Sequence, residues 1–432
     1  MITRASLVLL VLAAGCDWRS FDELSDSAWA RSTGSPSPLN SGEWGVGLAY
    51  GGGSADGVTF VGAGQRADGV GNIVFDASGG HSGLGVKVDA LGIADLDPMG
   101  LRPPMAGDPG QDAVVLGLAR GSDSSGQVVV YGVDGPDLVT SYQLGSQGID
   151  ALGVGAVNNT LQPGMTDLVV VTQNELTVVG NYSASNSTDR SQDTCLLGRE
   201  RGYAVAVGEL DGASADLEIA VGMGNVNQDG SAGGQVQVLA GATVEAAAAG
   251  SFPCVDNLNT LALGDIAAPA GEASFGDQLV IADFDGNGTM DLAASAPLSN
   301  VVYVWMNVDL ATVGAPDATI AAPADPTPGR FGVALAAGDF DGDGAAELVV
   351  GDDQASVDGN ANAGRAWIIE AGAGEFTTMH QLGDAQPQGE QHFGRALAVG
   401  RFGGTTDVLS VAAHGEVFTY FRTPLSDVDV RE

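Results

Sequence analysis

Residues 275–292 read FGDQLVIADFDGNGTMDL, and residues 331–348 read FGVALAAGDFDGDGAAEL. Both stretches run Phe-Gly, a short apolar segment, an Asp-rich turn, then a second apolar segment. A phrase that recurs along a chain fixes the architecture before any single residue is interpreted. Working outward, the phrase returns in weaker form at Trp44-Gly45 with residues 60–64, and at residues 88–97 resuming at 112–117. It returns again at residues 149–158 resuming at 167–170, at 202–211 continuing to 218–222, and at 393–402 continuing to 407–409. That makes about seven copies. The sixth holds four strand-like segments, residues 334–337, 348–351, 365–370 and 377–382, separated by turns rich in Gly, Asp and Asn. The sequence therefore predicts an all-β fold, a seven-bladed β-propeller of four-stranded blades. No helix-length amphipathic stretch competes.

The last copy supplies three strands before Pro424 and an acidic tail. Residues 29–34 (WARSTG) resemble the missing fourth piece. The spacing from Gly34 to Trp44 equals that from Gly383 to Phe393, the corresponding step between the sixth and seventh copies. The expectation is a ring closed by an N-terminal strand in the last blade, which leaves no unpaired edge. The domain plan is a signal peptide at 1–15, a tether at 16–27, the propeller at 28–423 and an acidic tail at 424–432.

The chain has 432 residues, 66 of them Gly, and a formal net charge of -38 with a single lysine, Lys87. So negative a field repels nucleic acid and anionic lipid, and nucleic acid is not expected as a partner. Two readings account for it, a solvated acidic surface and Asp residues gathered in cation-binding turns.

At the N-terminus, Arg4 precedes the apolar run LVLLVLAA at residues 7–14, which is too short to span a bilayer. The run ends in Leu12-Ala13-Ala14-Gly15-Cys16, which resembles the lipobox of bacterial lipoproteins, with Ala13 where that family usually has Leu. The resemblance implies lipidation at Cys16 and a lipid-anchored protein of the bacterial cell envelope, on the periplasmic face or outer surface. Cys195 and Cys254 then remain, either as one disulfide or as two thiols.

The turns carry the chemistry. Asp283, Asp285, Asn287 and Asp291 fall at positions 1, 3, 5 and 9 of one loop, and Asp339, Asp341, Asp343 and Glu347 at the same positions of the next. Alternate positions of a tight loop point oxygens inward, and the carbonyls of Thr289 and Ala345 can add to them. Hard oxygen ligands in a flexible loop suit Ca²⁺ over Zn²⁺ or Cu²⁺. The loop is not an EF-hand, because Ala294 and Val350 stand where the bidentate Glu would be. The fourth copy offers a weaker set, Glu209, Asp211 and Asp216, with its spacing slipped by one. The seventh places Arg401 at position 1, where a guanidinium can substitute for the cation.

These residues resemble the FG-GAP repeat family, best known from the propeller of integrin α subunits. Phe275-Gly276 matches the first half of the name, and Ala294-Ser295-Ala296-Pro297 approximates the second, with Ser295 where Gly is usual. The sixth copy has Gly351-Asp352-Asp353 there. The resemblance implies an extracytoplasmic binding or adhesion module for a protein or glycan. No hydrolase, zinc-protease, P-loop or dinucleotide motif is present. The alternative is an extracytoplasmic hydrolase or lyase with its site at the channel mouth. Converging His, Arg and carboxylate groups there would favour the enzyme, and small apolar residues would favour binding. A structural envelope lipoprotein is the third reading.

Overall fold

The computed structural model describes the strand backbones within residues 30–196 and most of the chain from 204 to 420. Side chains are described only from residue 149 onward, and not at every position there. The signal segment, Cys16, the tether, Cys254 and the acidic tail lie outside the described residues. So does the side chain of Cys195, whose backbone sits opposite Leu176 in an antiparallel ladder.

The fold is all β. Strands pair antiparallel in consecutive groups of four, giving four-stranded sheets at residues 43–83, 88–144, 149–196, 204–267, 279–321 and 334–382. A final sheet joins residues 397–401, 407–413 and 416–420 to the N-terminal strand Ala30–Gly34. The first strand of each sheet lies beside the first strand of the next, and Leu397–Arg401 lies beside Glu43–Ser54. Ala30–Gly34 runs antiparallel to Glu416–Tyr420, pairing Ala30 with Tyr420 and Gly34 with Glu416.

The expectation of seven blades is corrected here. Five blades are built with packed side chains: those at 149–196, 204–267, 279–321 and 334–382, and the last. The two sheets between residues 43 and 144 are described as backbone ladders alone. Those two carry the weakest sequence copies. Pro98, Pro103, Pro104 and Pro109 interrupt the second after its Asp pair.

Packing between neighbouring sheets holds the five together. Ile219, Val221 and Met223 meet Val169 and Val171 on one side of the 204–267 sheet. On its other side, Ala220, Val236 and Val238 meet Phe275, Leu292 and Trp305. Val302 and Val304 then meet Phe331, Leu348 and Trp367, and Val349 and Ile368 meet Phe393, Leu409 and Val411. Both faces of the 204–267, 279–321 and 334–382 sheets are covered, so strands such as Glu218–Met223 and Glu347–Asp352, apolar apart from their acidic ends, are buried at every position.

The Phe-Gly step explains the repeat. Phe275, Phe331 and Phe393 are fully buried between sheets. The glycine that follows each adopts a positive φ (87°, 94° and 89° at Gly276, Gly332 and Gly394). Its N–H donates to the second strand of its own sheet, at the carbonyls of Ser295, Gly351 and Ala412. It also presses on the preceding sheet. A Cβ on Gly222 would fall 1.9 Å from the Gly276 oxygen, and one on Gly351 2.1 Å from the Gly394 oxygen. Ser295 is tolerated at the same place, 2.9 Å from where a Cβ on Gly332 would stand. Backbone therefore meets backbone at each junction, and only the smallest side chains fit.

Candidate metal centre

Each acidic turn joins the first two strands of a sheet, at the end opposite the Phe-Gly step. In the 279–321 sheet, Ala282 pairs with Asp291 and closes the hairpin. Phe284, fully buried, anchors the turn in the core. The Asp283 carboxylate accepts the N–H groups of Asn287 at 3.1 Å and Gly288 at 2.7 Å. Asp285 Oδ1 accepts the Asn287 N–H at 3.2 Å, and Asn287 Oδ1 accepts that of Thr289 at 2.6 Å. Asp291 is fully buried, and its two oxygens accept the N–H groups of Phe284 and Asn307, each at 2.8 Å. These bonds draw carboxylate oxygens of Asp283, Asp285 and Asp291 to within 4.8 Å of one another.

The 334–382 sheet repeats the arrangement. Asp339 Oδ1 accepts the Gly342 N–H at 2.6 Å, Asp341 Oδ1 that of Asp343 at 2.9 Å, and Asp343 Oδ1 that of Ala345 at 2.9 Å. Glu347, 2% exposed, accepts the Phe340 N–H at 2.8 Å. Asp339, Asp341 and Glu347 form the second group within 4.8 Å. Asp343 and Asn287 are both exposed.

Burial raises both ninth-position acids. Asp291 is pushed up to about 6, by desolvation first and then by Asp285 and Asp283, against the two N–H bonds it accepts. Glu347 is pushed up to about 8, by desolvation first, with Asp341, Asp339 and Asp343 adding to it against the Phe340 bond. Like charges crowded in a partly dry turn favour a bound cation. Oxygens around one Ca²⁺ at roughly 2.4 Å stand at most about 4.8 Å apart, so both donor sets fit that ion.

In the fourth copy the register identifies a residue that sequence spacing missed. Gly208 pairs with Glu218 as Gly338 pairs with Glu347. Glu218 is 1% exposed and accepts the Leu210 N–H at 2.8 Å, the bond that Glu347 makes with Phe340. Glu209 accepts the Gly212 N–H at 2.7 Å, as Asp339 does with Gly342. Asp211 and Asp216 lie outside the described residues. Aligning on the strand starts EIAV, DLAA and ELVV, rather than on the turn, would have found Glu218.

At the opposite end of the sheets, Arg330 donates through Nε and Nη2 to the Asp353 carboxylate at 3.1 and 2.8 Å. His392 Nδ1 lies 3.1 Å from the Asp353 carbonyl. Asp352, fully buried, accepts the N–H groups of Gly329 and Arg330 at 2.9 and 2.7 Å. Six non-glycine residues with positive φ sit in the loops of this end: Ser274, Asn300, Asp358, Asn362, Glu390 and His392. Around the axis, the fully described innermost strands Ala204–Gly208, Leu279–Ala282 and Ala334–Gly338 hold only Ala, Val, Leu, Ile and Gly.

The family model of the FG-GAP repeat matches residues 331–369, which span the sixth Phe-Gly step, its acidic turn, its first two strands and most of the third. No curated protein matches the sequence. Among solved structures, the chain is similar to the Cps50 (Swd1) β-propeller domain of Myceliophteria thermophila. The two share 12% identity and a TM-score of 0.50, over 91% of this chain and all of that one. It is also similar to a chain of a Mitotic Checkpoint Complex, with 13% identity and a TM-score of 0.51 over 91% of this chain and 95% of that one. At such identities the likeness concerns the propeller fold alone. Among the described residues no helix is long and apolar enough to cross a membrane.

Proposed function

We propose that this propeller is a calcium-stabilised binding module, displayed outside the cytoplasm on a lipid anchor at Cys16, whose loops contact a protein or glycan. The observation that carries the calcium reading is the pair of three-carboxylate groups, Asp283, Asp285, Asp291 and Asp339, Asp341, Glu347, each gathered within 4.8 Å. The three fully described innermost strands favour binding over catalysis, because their small apolar side chains supply neither nucleophile nor acid–base pair. The loops at the Phe-Gly end, with their strained residues and the Arg330–Asp353–His392 constellation, are the contact surface we favour. The lipid anchor is supported by the sequence from Arg4 to Cys16 alone.

The experiment is a melting curve with 1 mM calcium and with chelator, followed by capture from envelope extract under both conditions. Bound calcium raises the melting temperature by linkage. Superimposable curves overturn the calcium reading. Capture of nothing in either condition overturns the binding reading. Retention of a Cys16→Ser variant in the membrane fraction overturns the anchor.

A further inference from the structure

We propose that Asp407, at the head of the second strand of the last sheet, is a positioning residue for the acidic turn of the sheet before it. The assignment rests on the calcium reading. Asp407 stands 68 residues from Asp339 in sequence. Its Oδ2 accepts the Asp339 N–H at 2.9 Å, and its own N–H donates to the Asp339 carbonyl at 2.9 Å. The two bonds grip both sides of the residue that carries the first ligand. Gly338 makes room for the grip, since a Cβ there would lie 3.2 Å from Asp407 Oδ2 and 2.5 Å from Val399 Cγ1.

Among the described residues, the preceding junction has no second bond of this kind. There Ala346 donates its N–H to the Asp283 carbonyl at 2.8 Å, and alanine has no side-chain oxygen to return. One turn is thus held from the next sheet at one point, the other at two. Fixing the Asp339 backbone fixes where its carboxylate points before any cation arrives. Outer partners that orient ligands in this way typically change metal affinity by about 10- to 100-fold when removed. The work is done by an oxygen acceptor, so an amide can replace the carboxylate.

The test is calcium titration calorimetry on the full chain in two backgrounds. Asp285→Ala leaves the 339–347 turn intact, and Asp341→Ala leaves the 283–291 turn intact; the turn near Glu218 is common to both. Adding Asp407→Ala should weaken calcium binding about tenfold in the first background and leave the second unchanged. Asp407→Asn should recover most of the loss. Unchanged affinity in the first background overturns the assignment, as does an equal loss in both, which is general destabilisation. If Asp407→Ala does not fold, Asp407→Ser, which lacks the carboxylate oxygen that accepts the Asp339 N–H, carries the same expectation. Absence of calcium heat and of any melting shift in the unsubstituted chain overturns the calcium reading itself, and this assignment with it.

Discussion

Glu347 shows what single residues contribute here. Its carboxylate is buried among three other acids and still accepts the Phe340 N–H. Glu347→Gln keeps the acceptor and removes the charge. Under chelation the substitution should stabilise the fold by roughly 1 kcal/mol or more. In calcium it should abolish the stabilisation contributed by that turn, so the sign of the change reverses with the ion. Paired melting curves check this. Asp277 gives a pH dependence away from the turns. Burial pushes its carboxyl from 3.8 up to about 6, with Arg330 opposing. The folded chain holds this proton more tightly than the unfolded one, so stability falls as pH rises from about 4 to about 6 and stays lower above. Asp277→Asn should flatten that part of the profile and raise the melting temperature at pH 7. A pH series of the two chains decides it.

Elements lock through backbone, and the prediction at this scale is steric. Gly351→Ala would place a methyl 2.1 Å from the Gly394 carbonyl. We expect a loss of about 3 kcal/mol or more, read by urea unfolding. Ser295→Gly, at the equivalent junction, should cost less than about 1 kcal/mol. The Phe-Gly step, the four strands of the sixth unit and the acidic turns were legible in the sequence because each depends on local chemistry: positive φ at glycine, apolar runs bounded by turn residues, and acidic side chains at alternate positions. The pairing of residues 30–34 with 416–420 was legible only through the matched spacing from Gly34 to Trp44. Glu218 was not, because turn length varies while strand register does not, and spacing counts the turn. Asp407 was missed as well, since its partner lies in another sheet.

The whole molecule carries a charge of -38. Charges of one sign on a closed fold repel, and salt screens them over about 8–10 Å. Raising sodium chloride from 10 to 150 mM should therefore raise the melting temperature under chelation, and by less when calcium is bound. An equal increment in both conditions would show that the acidic turns hold no ion. Deleting residues 30–34 should lower the melting temperature and expose the edge of Glu416–Tyr420 to other chains. Size-exclusion chromatography of that variant would then show assemblies where the full chain gives one peak.

Ala30 meets Tyr420 only after the six intervening sheets have been made. A nascent chain leaving the ribosome therefore carries a strand whose partner does not yet exist. Vectorial synthesis can raise the middle sheets one after another, but the ring must stay open until its final segment arrives. That delay leaves the leading strand without its partner through most of synthesis, so closure is the last step of folding.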